Sequence, residues 1–152
     1  MRIPSSLRFF SAATVLTGML GIIACGGDSA SEVQPQIPII AFTTTISLLD
    51  QQNTALRFDN GVQYVDGGVK GTKGLIVVRQ KAGSYLAFDR TCPYQPTSSC
   101  ATVSIDPSRL FFRDTCCTSQ FSLQGQIQGG PSRYPLRQYA TSLSGNLLTI
   151  SN

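Results

Sequence analysis

The chemistry open to this chain rests on sulfur. Its 152 residues include five cysteines but no histidine and no tryptophan. Without histidine, the usual general base and the commonest metal ligand are both missing. Ser119 and Ser122 therefore have no imidazole partner, and a serine-hydrolase triad is excluded. Four of the cysteines fall in two short stretches. Cys92 and Cys100 lie in DRTCPYQPTSSCATV, and the adjacent Cys116 and Cys117 lie in RDTCCTSQFSLQGQIQGGP. Two such loops can hold a metal or an iron–sulfur cluster, close disulfides, or present free redox thiols.

The spacing favours disulfides. Successive side chains on an extended chain point to opposite faces, so Cys116 and Cys117 do not easily reach one metal. Paired zinc cysteines use spacers of about two to four residues, and neither Cys92/Cys100 nor Cys116/Cys117 has one. Asp114 could ligate iron, but an acid here reads as a solvated loop residue. Tyr94 reads as an aromatic packed over the loop cysteines. Arg133, Tyr134 and Arg137 could form an anion or sugar patch, although a solvated face explains them as well. DNG and DGG read as turns, with no calcium-loop spacing behind them. The expectation is two disulfides among Cys92, Cys100, Cys116 and Cys117, with no metal and no catalytic residue. A Cys116–Cys117 bridge is disfavoured, because adjacent Cα atoms lie about 3.8 Å apart across a trans peptide. That is below the usual disulfide window of roughly 4.4–6.8 Å. Two inter-loop pairings stay open.

The N-terminus points to a compartment in which disulfides persist. MRIPSSLRFF carries Arg2 and Arg8 and no acid, and the apolar run FSAATVLTGMLGII follows. The run is too short for a comfortable membrane span and fits a signal peptide. It ends in IIAC, which resembles a bacterial lipobox. The resemblance implies cleavage before Cys25, lipid on its sulfur and acylation of the new amine. Residues 1–24 are then a lipoprotein signal peptide. Residues 25–38 are a lipidated flexible tether, since GGDSASEVQPQIP is polar and aperiodic. Residues 39–152 form one domain. The chain carries 12 Lys+Arg against 8 Asp+Glu, and loss of Arg2 and Arg8 lowers the formal charge from +4 to +2. Such scattered charge implies no nucleic-acid partner. The expected location is the bacterial cell envelope, lipid-anchored, with the domain in the periplasm or on the cell surface. The expected partners are membrane lipid through Cys25 and an envelope protein. Setting Cys25 aside leaves four cysteines, an even number suited to an exported domain with two disulfides.

The elements that must position the cysteine loops are strands. TISLLD and ALRFD read as strands. NGVQYVDGG places Val62, Tyr64 and Asp66 on one face between glycine turns. GLIVVRQ is almost continuously apolar, which predicts a central strand. It continues through KAG into SYLAFD as a β-hairpin. CATVSID, RLFFRD, SQFSLQG, LRQYATSLS and NLLTIS complete the set, the last two joined through Ser144-Gly145-Asn146. No segment keeps a helical period beyond two turns. Short strands with frequent Gly and Pro turns predict a small all-β sandwich or barrel without internal repeats.

From about Leu56 to Ile150 the chain resembles a Rieske iron–sulfur domain. The likeness begins in GTKGLIVVRQKAGSYLAFDRTCPYQP and continues in CCTSQFSLQGQIQGGPSRYPLRQYATSLSGNLLTI. Ser119, Phe121, Gly125, Gly130, Pro131, Pro135, Leu136 and Tyr139 fall at the family's offsets. The resemblance implies an all-β fold, a Rieske-like small antiparallel β-sandwich or barrel with two Cys-bearing loops. A Rieske centre takes one Cys and one His from each loop, with both His on one iron. Those four positions land on Cys92, Tyr94, Asp114 and Cys117, and one alone holds the expected residue. With no His, a two-Cys, two-His cluster cannot form on this chain. Many Rieske domains also join their loops by a disulfide whose second-loop member matches Cys116. Its first-loop member would fall at Thr97, so Cys100 is the nearest substitute. The resemblance thus implies Cys100–Cys116 and leaves Cys92 with Cys117. The expected function is a structural or binding role for a lipid-anchored, Rieske-like envelope domain without its cluster, with no enzyme activity assigned. The alternative is electron transfer through a [2Fe–2S] cluster on the non-standard set Cys92, Tyr94, Asp114 and Cys117.

Overall fold

A computed structural model describes residues 37–65 and 73–152. Cys25, the expected signal peptide, nearly all of the expected tether and the Asp66-Gly67-Gly68 turn lie outside the described residues. Ten strands are present among the described residues. They are β1 (Thr43–Ser47), β2 (Val62–Val65), β3 (Leu75–Lys81), β4 (Ser84–Asp89), β5 (Val103–Ile105), β6 (Phe111–Asp114), β7 (Gln120–Ser122), β8 (Ile127–Gly129), β9 (Gln138–Ser144) and β10 (Leu147–Ser151). They form a six-stranded sheet in the order β1-β10-β9-β4-β3-β2 and a four-stranded sheet in the order β5-β6-β7-β8. Every pairing is antiparallel. The all-β architecture expected from the strand pattern is the one observed.

The apolar run of β3 explains how the core is divided. Leu75, Ile76, Val77 and Val78 are all fully buried. The strand's alternation sends Leu75 and Val77 to one cluster, with Leu56, Tyr85, Ala87, Tyr139, Leu148 and Ile150. Ile76 and Val78 face the other, with Phe88, Val103, Phe112, Phe121 and Leu136. The second cluster lies between the sheets and includes Cys92 and Ala101 of the first loop. A strand buried on both faces needs apolar residues at every position, which is why the sequence does not alternate there.

One expected strand is a helix. ALRFD belongs to a 3-10 helix, Gln51–Arg57, and the turn after it. Side chains capture the backbone that a strand would have paired. Arg57 donates to the Leu48 carbonyl at 3.0 Å and the Leu49 carbonyl at 2.6 Å, and Asn53 donates to the Ser47 carbonyl at 2.8 Å. The helix tucks Leu56 into the core, fully buried. A further short strand, β8, forms in QGQIQGG, where Gly125 and Gly129 interrupt any periodic pattern.

The small sheet sits in the chain between β4 and β9, which are themselves neighbours through Ala87↔Tyr139 and Phe88↔Gln138. Everything from Arg90 to Arg137 is therefore one excursion from the large sheet. It presents loop one (residues 90–102), loop two (residues 115–119) and a third connection (residues 130–137).

Candidate functional site

Loop one is held at both ends. Asp89, fully buried at the end of β4, accepts from the Tyr139 hydroxyl at 2.8 Å and from the Thr91 amide at 2.7 Å. Thr91 bridges Thr102, and the Cys92 amide donates to the Ala101 carbonyl at 3.1 Å. Lys73 reaches across to the same loop, donating to the carbonyls of Ala101 and Ser98. Cys92 is thereby fixed, buried, beneath the loop.

Loop two is built on Asp114. Its Oδ1 accepts from the amides of Cys116 at 2.7 Å and Cys117 at 3.3 Å, an aspartate turn that folds the loop back. The Asp114 amide donates to the Ser119 carbonyl at 2.9 Å and closes the turn. Thr118 at its tip has φ 61°, the left-handed region that a β-branched residue rarely occupies. The third connection packs on this turn. Gly130 (φ 83°) runs so close that a Cβ there would lie 2.5 Å from Ser119 Cα. The Ser132 amide then donates to Ser119 Oγ at 3.1 Å.

The two loops are joined by a disulfide between Cys100 and Cys116, Cα atoms 5.7 Å apart. Cys92 and Cys117 are the free cysteines among the described residues. Their sulfurs lie side by side at 3.2 Å, well beyond the roughly 2.05 Å of a covalent S–S bond. The pairing that resemblance implied for them is thus a contact between thiols in this structure. Each sulfur is held by its own loop, Cys92 by the Ala101 ladder and Cys117 by the Asp114 turn and by Ser119 Oγ at 3.1 Å.

Asp114 overturns its reading as a solvated acid. It is 1 % exposed, because its Oδ1 caps the loop from inside. Its Oδ2 is buried without a hydrogen-bond partner among the described residues. Cys92 Sγ, Cys117 Sγ and an Asp114 carboxylate oxygen all lie within 4.8 Å of one another. Burial pushes the Cys92 thiol far above its ordinary pKa, and the neighbouring Cys117 and Asp114 push the same way against a backbone hydrogen bond from Tyr94. Three of the four positions matched to family ligands therefore converge. The fourth does not join them as a buried ligand, since Tyr94 is 41 % exposed. Arg137, expected on a solvated patch, instead donates to the carbonyls of Ile37 at 2.8 Å and Pro38 at 2.9 Å. The Asp114-x-x-Cys117 spacing was legible as an aspartate turn and as a two-residue ligand spacer.

Cys92, Tyr94, Asp114 and Cys117 are not the two-Cys, two-His ligand set of a Rieske centre. The positions of Cys92 and Cys117 correspond to ligands on different irons, and their sulfurs lie 3.2 Å apart.

Comparison with solved structures places the fold. The crystal structure of the cyanobacterial plasma membrane Rieske protein PetC3 from Synechocystis PCC 6803 matches with a TM-score of 0.51 at 20% identity. The match covers 74% of this chain and 98% of that one. A protein described as an NADH-dependent nitrite reductase small subunit from Mycobacterium tuberculosis matches with a TM-score of 0.44 at 15% identity, over 75% of this chain and 97% of that one. No protein-family model and no curated protein matches the chain. Two sheets, two facing cysteine loops and the third connection packed beneath them are those of a Rieske-like domain, and that is the fold of this chain.

Proposed function

We propose that this chain is a lipid-anchored domain of the bacterial cell envelope that carries no [2Fe–2S] cluster and serves as a binding or docking module. The observation that supports this reading is the 3.2 Å contact between Cys92 and Cys117 at positions that would face opposite ends of a cluster. The complete absence of histidine removes the ligands that set the potential of a Rieske centre. Among the described residues no helix is long and apolar enough to cross a membrane. On this reading acylated Cys25 supplies the attachment, and the polar stretch after it holds the domain away from the lipid. An envelope protein is the partner class that suits such a module.

The test is export of the full chain in a bacterial host, detergent extraction under anaerobic conditions, and assay of iron, acid-labile sulfide and visible absorption. Neither iron nor sulfide is expected. About two irons per chain with sulfide, and a rhombic spin-resonance signal on reduction, would refute the reading and restore electron transfer as the function.

A further inference from the structure

We propose that Cys92 Sγ, Cys117 Sγ and Asp114 Oδ2 form a mononuclear site for a borderline-soft divalent cation of the zinc class. The proposal rests on the reading that the two-iron cluster is absent.

Three independent features converge on it. The donor set is two thiolates and a carboxylate, which suits zinc or cobalt and not magnesium or calcium. The donors come from two loops tied by the Cys100–Cys116 disulfide, so they are positioned before any ion arrives. Asp114 Oδ2 is a buried carboxylate oxygen with no hydrogen-bond partner among the described residues. Such an atom is strongly disfavoured unless something neutralises it.

The sulfur separation lies nearer to that of an ion's ligands than to that of a bond. Tetrahedral zinc, with Zn–S about 2.3 Å and Zn–O about 2.0 Å, places its sulfurs about 3.8 Å apart and each sulfur about 3.5 Å from the oxygen. The two sulfurs, now at 3.2 Å, need only separate slightly. A disulfide would require them to close by roughly twice as much, to about 2.05 Å. The set within 4.8 Å already matches the scale of one ion.

The surroundings orient each ligand, as outer partners of metal ligands do. The amides of Cys116 and Cys117 occupy Asp114 Oδ1 and leave Oδ2 free. The Cys92 amide donates to the Ala101 carbonyl and fixes the Cys92 backbone. Ser119 Oγ accepts from the Cys117 thiol at 3.1 Å and from the Ser132 amide at 3.1 Å, which holds the Cys117 side chain in place. Three protein ligands leave a fourth position, and Cys117, the partly exposed member, marks the side from which water would fill it.

The test uses the full chain, extracted in detergent, treated with a chelator under anaerobic conditions and titrated with Co²⁺. One cobalt per chain is expected, with thiolate-to-cobalt charge-transfer absorption in the near ultraviolet that Zn²⁺ bleaches. Cys92→Ser and Cys117→Ser should each abolish the band. Asp114→Asn retains an Oδ1 acceptor for the loop amides and should weaken cobalt binding at least tenfold while circular dichroism stays unchanged. A folded protein with Cys92 and Cys117 both free but no band would overturn the site. So would a band that persists in Cys117→Ser, or a Cys92–Cys117 disulfide in the exported protein. Iron with labile sulfide would overturn both this site and the cluster-free reading. Absence of iron together with absence of a cobalt band would overturn the site alone.

Discussion

Replacing Cys100 and Cys116 together by serine should lower the stability of the domain by about 3 kcal/mol. The bridge joins residues separated by 16 positions. The chain-entropy relation for a loop of that size gives close to 10 cal/mol/K removed from the unfolded chain, or about 3 kcal/mol at 25 °C. A domain of roughly 115 residues unfolds with an entropy near 240 cal/mol/K, so the melting temperature should fall by about 12 °C. The double variant is needed because a single substitution leaves a thiol beside Cys117, where exchange could form a new bridge. The assay is a thermal melt followed by circular dichroism and calorimetry, on wild type and variant at equal concentration. A fall of less than about 4 °C would refute the reasoning and show that local packing already confines loops one and two in the unfolded chain.

Tyr139→Phe removes the hydroxyl that donates to buried Asp89 and should destabilise the domain by about 1–3 kcal/mol. Burial, and then Asp89, raise the Tyr139 pKa. Its share of stability is therefore intact below about pH 10 and lost as the pH rises above that, where the unfolded chain ionises first. Urea melts across the alkaline range should show a shallower decline in Tyr139→Phe than in wild type. Gly130→Ala places a Cβ 2.5 Å from Ser119 Cα and 2.7 Å from the Thr118 carbonyl oxygen at a φ of 83°. It should destabilise by at least about 1 kcal/mol and loosen loop two, read as faster amide exchange at Cys116 and Cys117. Cys25→Ala should abolish incorporation of labelled fatty acid and leave the N-terminal segment uncleaved, and label retained in that variant would refute the lipid anchor.

Much of this fold was written in local pattern. β3 and β4 follow from GLIVVRQ and SYLAFD, and the β9–β10 hairpin follows from the Ser144-Gly145-Asn146 turn. What escaped was decided by side chains acting at a distance. ALRFD has the composition of a strand, but Arg57 and Asn53 bind carbonyls up to nine residues earlier and wind the segment into a helix. Asp114 has the composition of a surface acid, and its burial depends on two loop amides and the Ser119 carbonyl turn. Adjacent Cys116 and Cys117 diverge, but in a turn built on Asp114 and not on an extended strand. One goes to a disulfide and the other to Cys92. That divergence is what frees Cys117 to meet Cys92 and Asp114, a consequence no spacing rule within one loop could reveal.

The placing of the small sheet between two adjacent strands also orders events in time. Joining β4 to β9 closes a gap of about fifty residues, and joining β1 to β10 closes one of about a hundred. The β5–β6, β6–β7 and β7–β8 pairs each join neighbours in the chain, as do β3–β4 and β9–β10 in the large sheet, and near contacts form fastest. Once they have formed, the ends of β4 and β9 are brought close by a compact unit, and the long closure becomes a short one. Local hairpins of both sheets are therefore expected to form before β4–β9 and β1–β10 close. The Cys100–Cys116 bridge lies wholly inside the excursion, so its oxidation does not need the last strand's arrival.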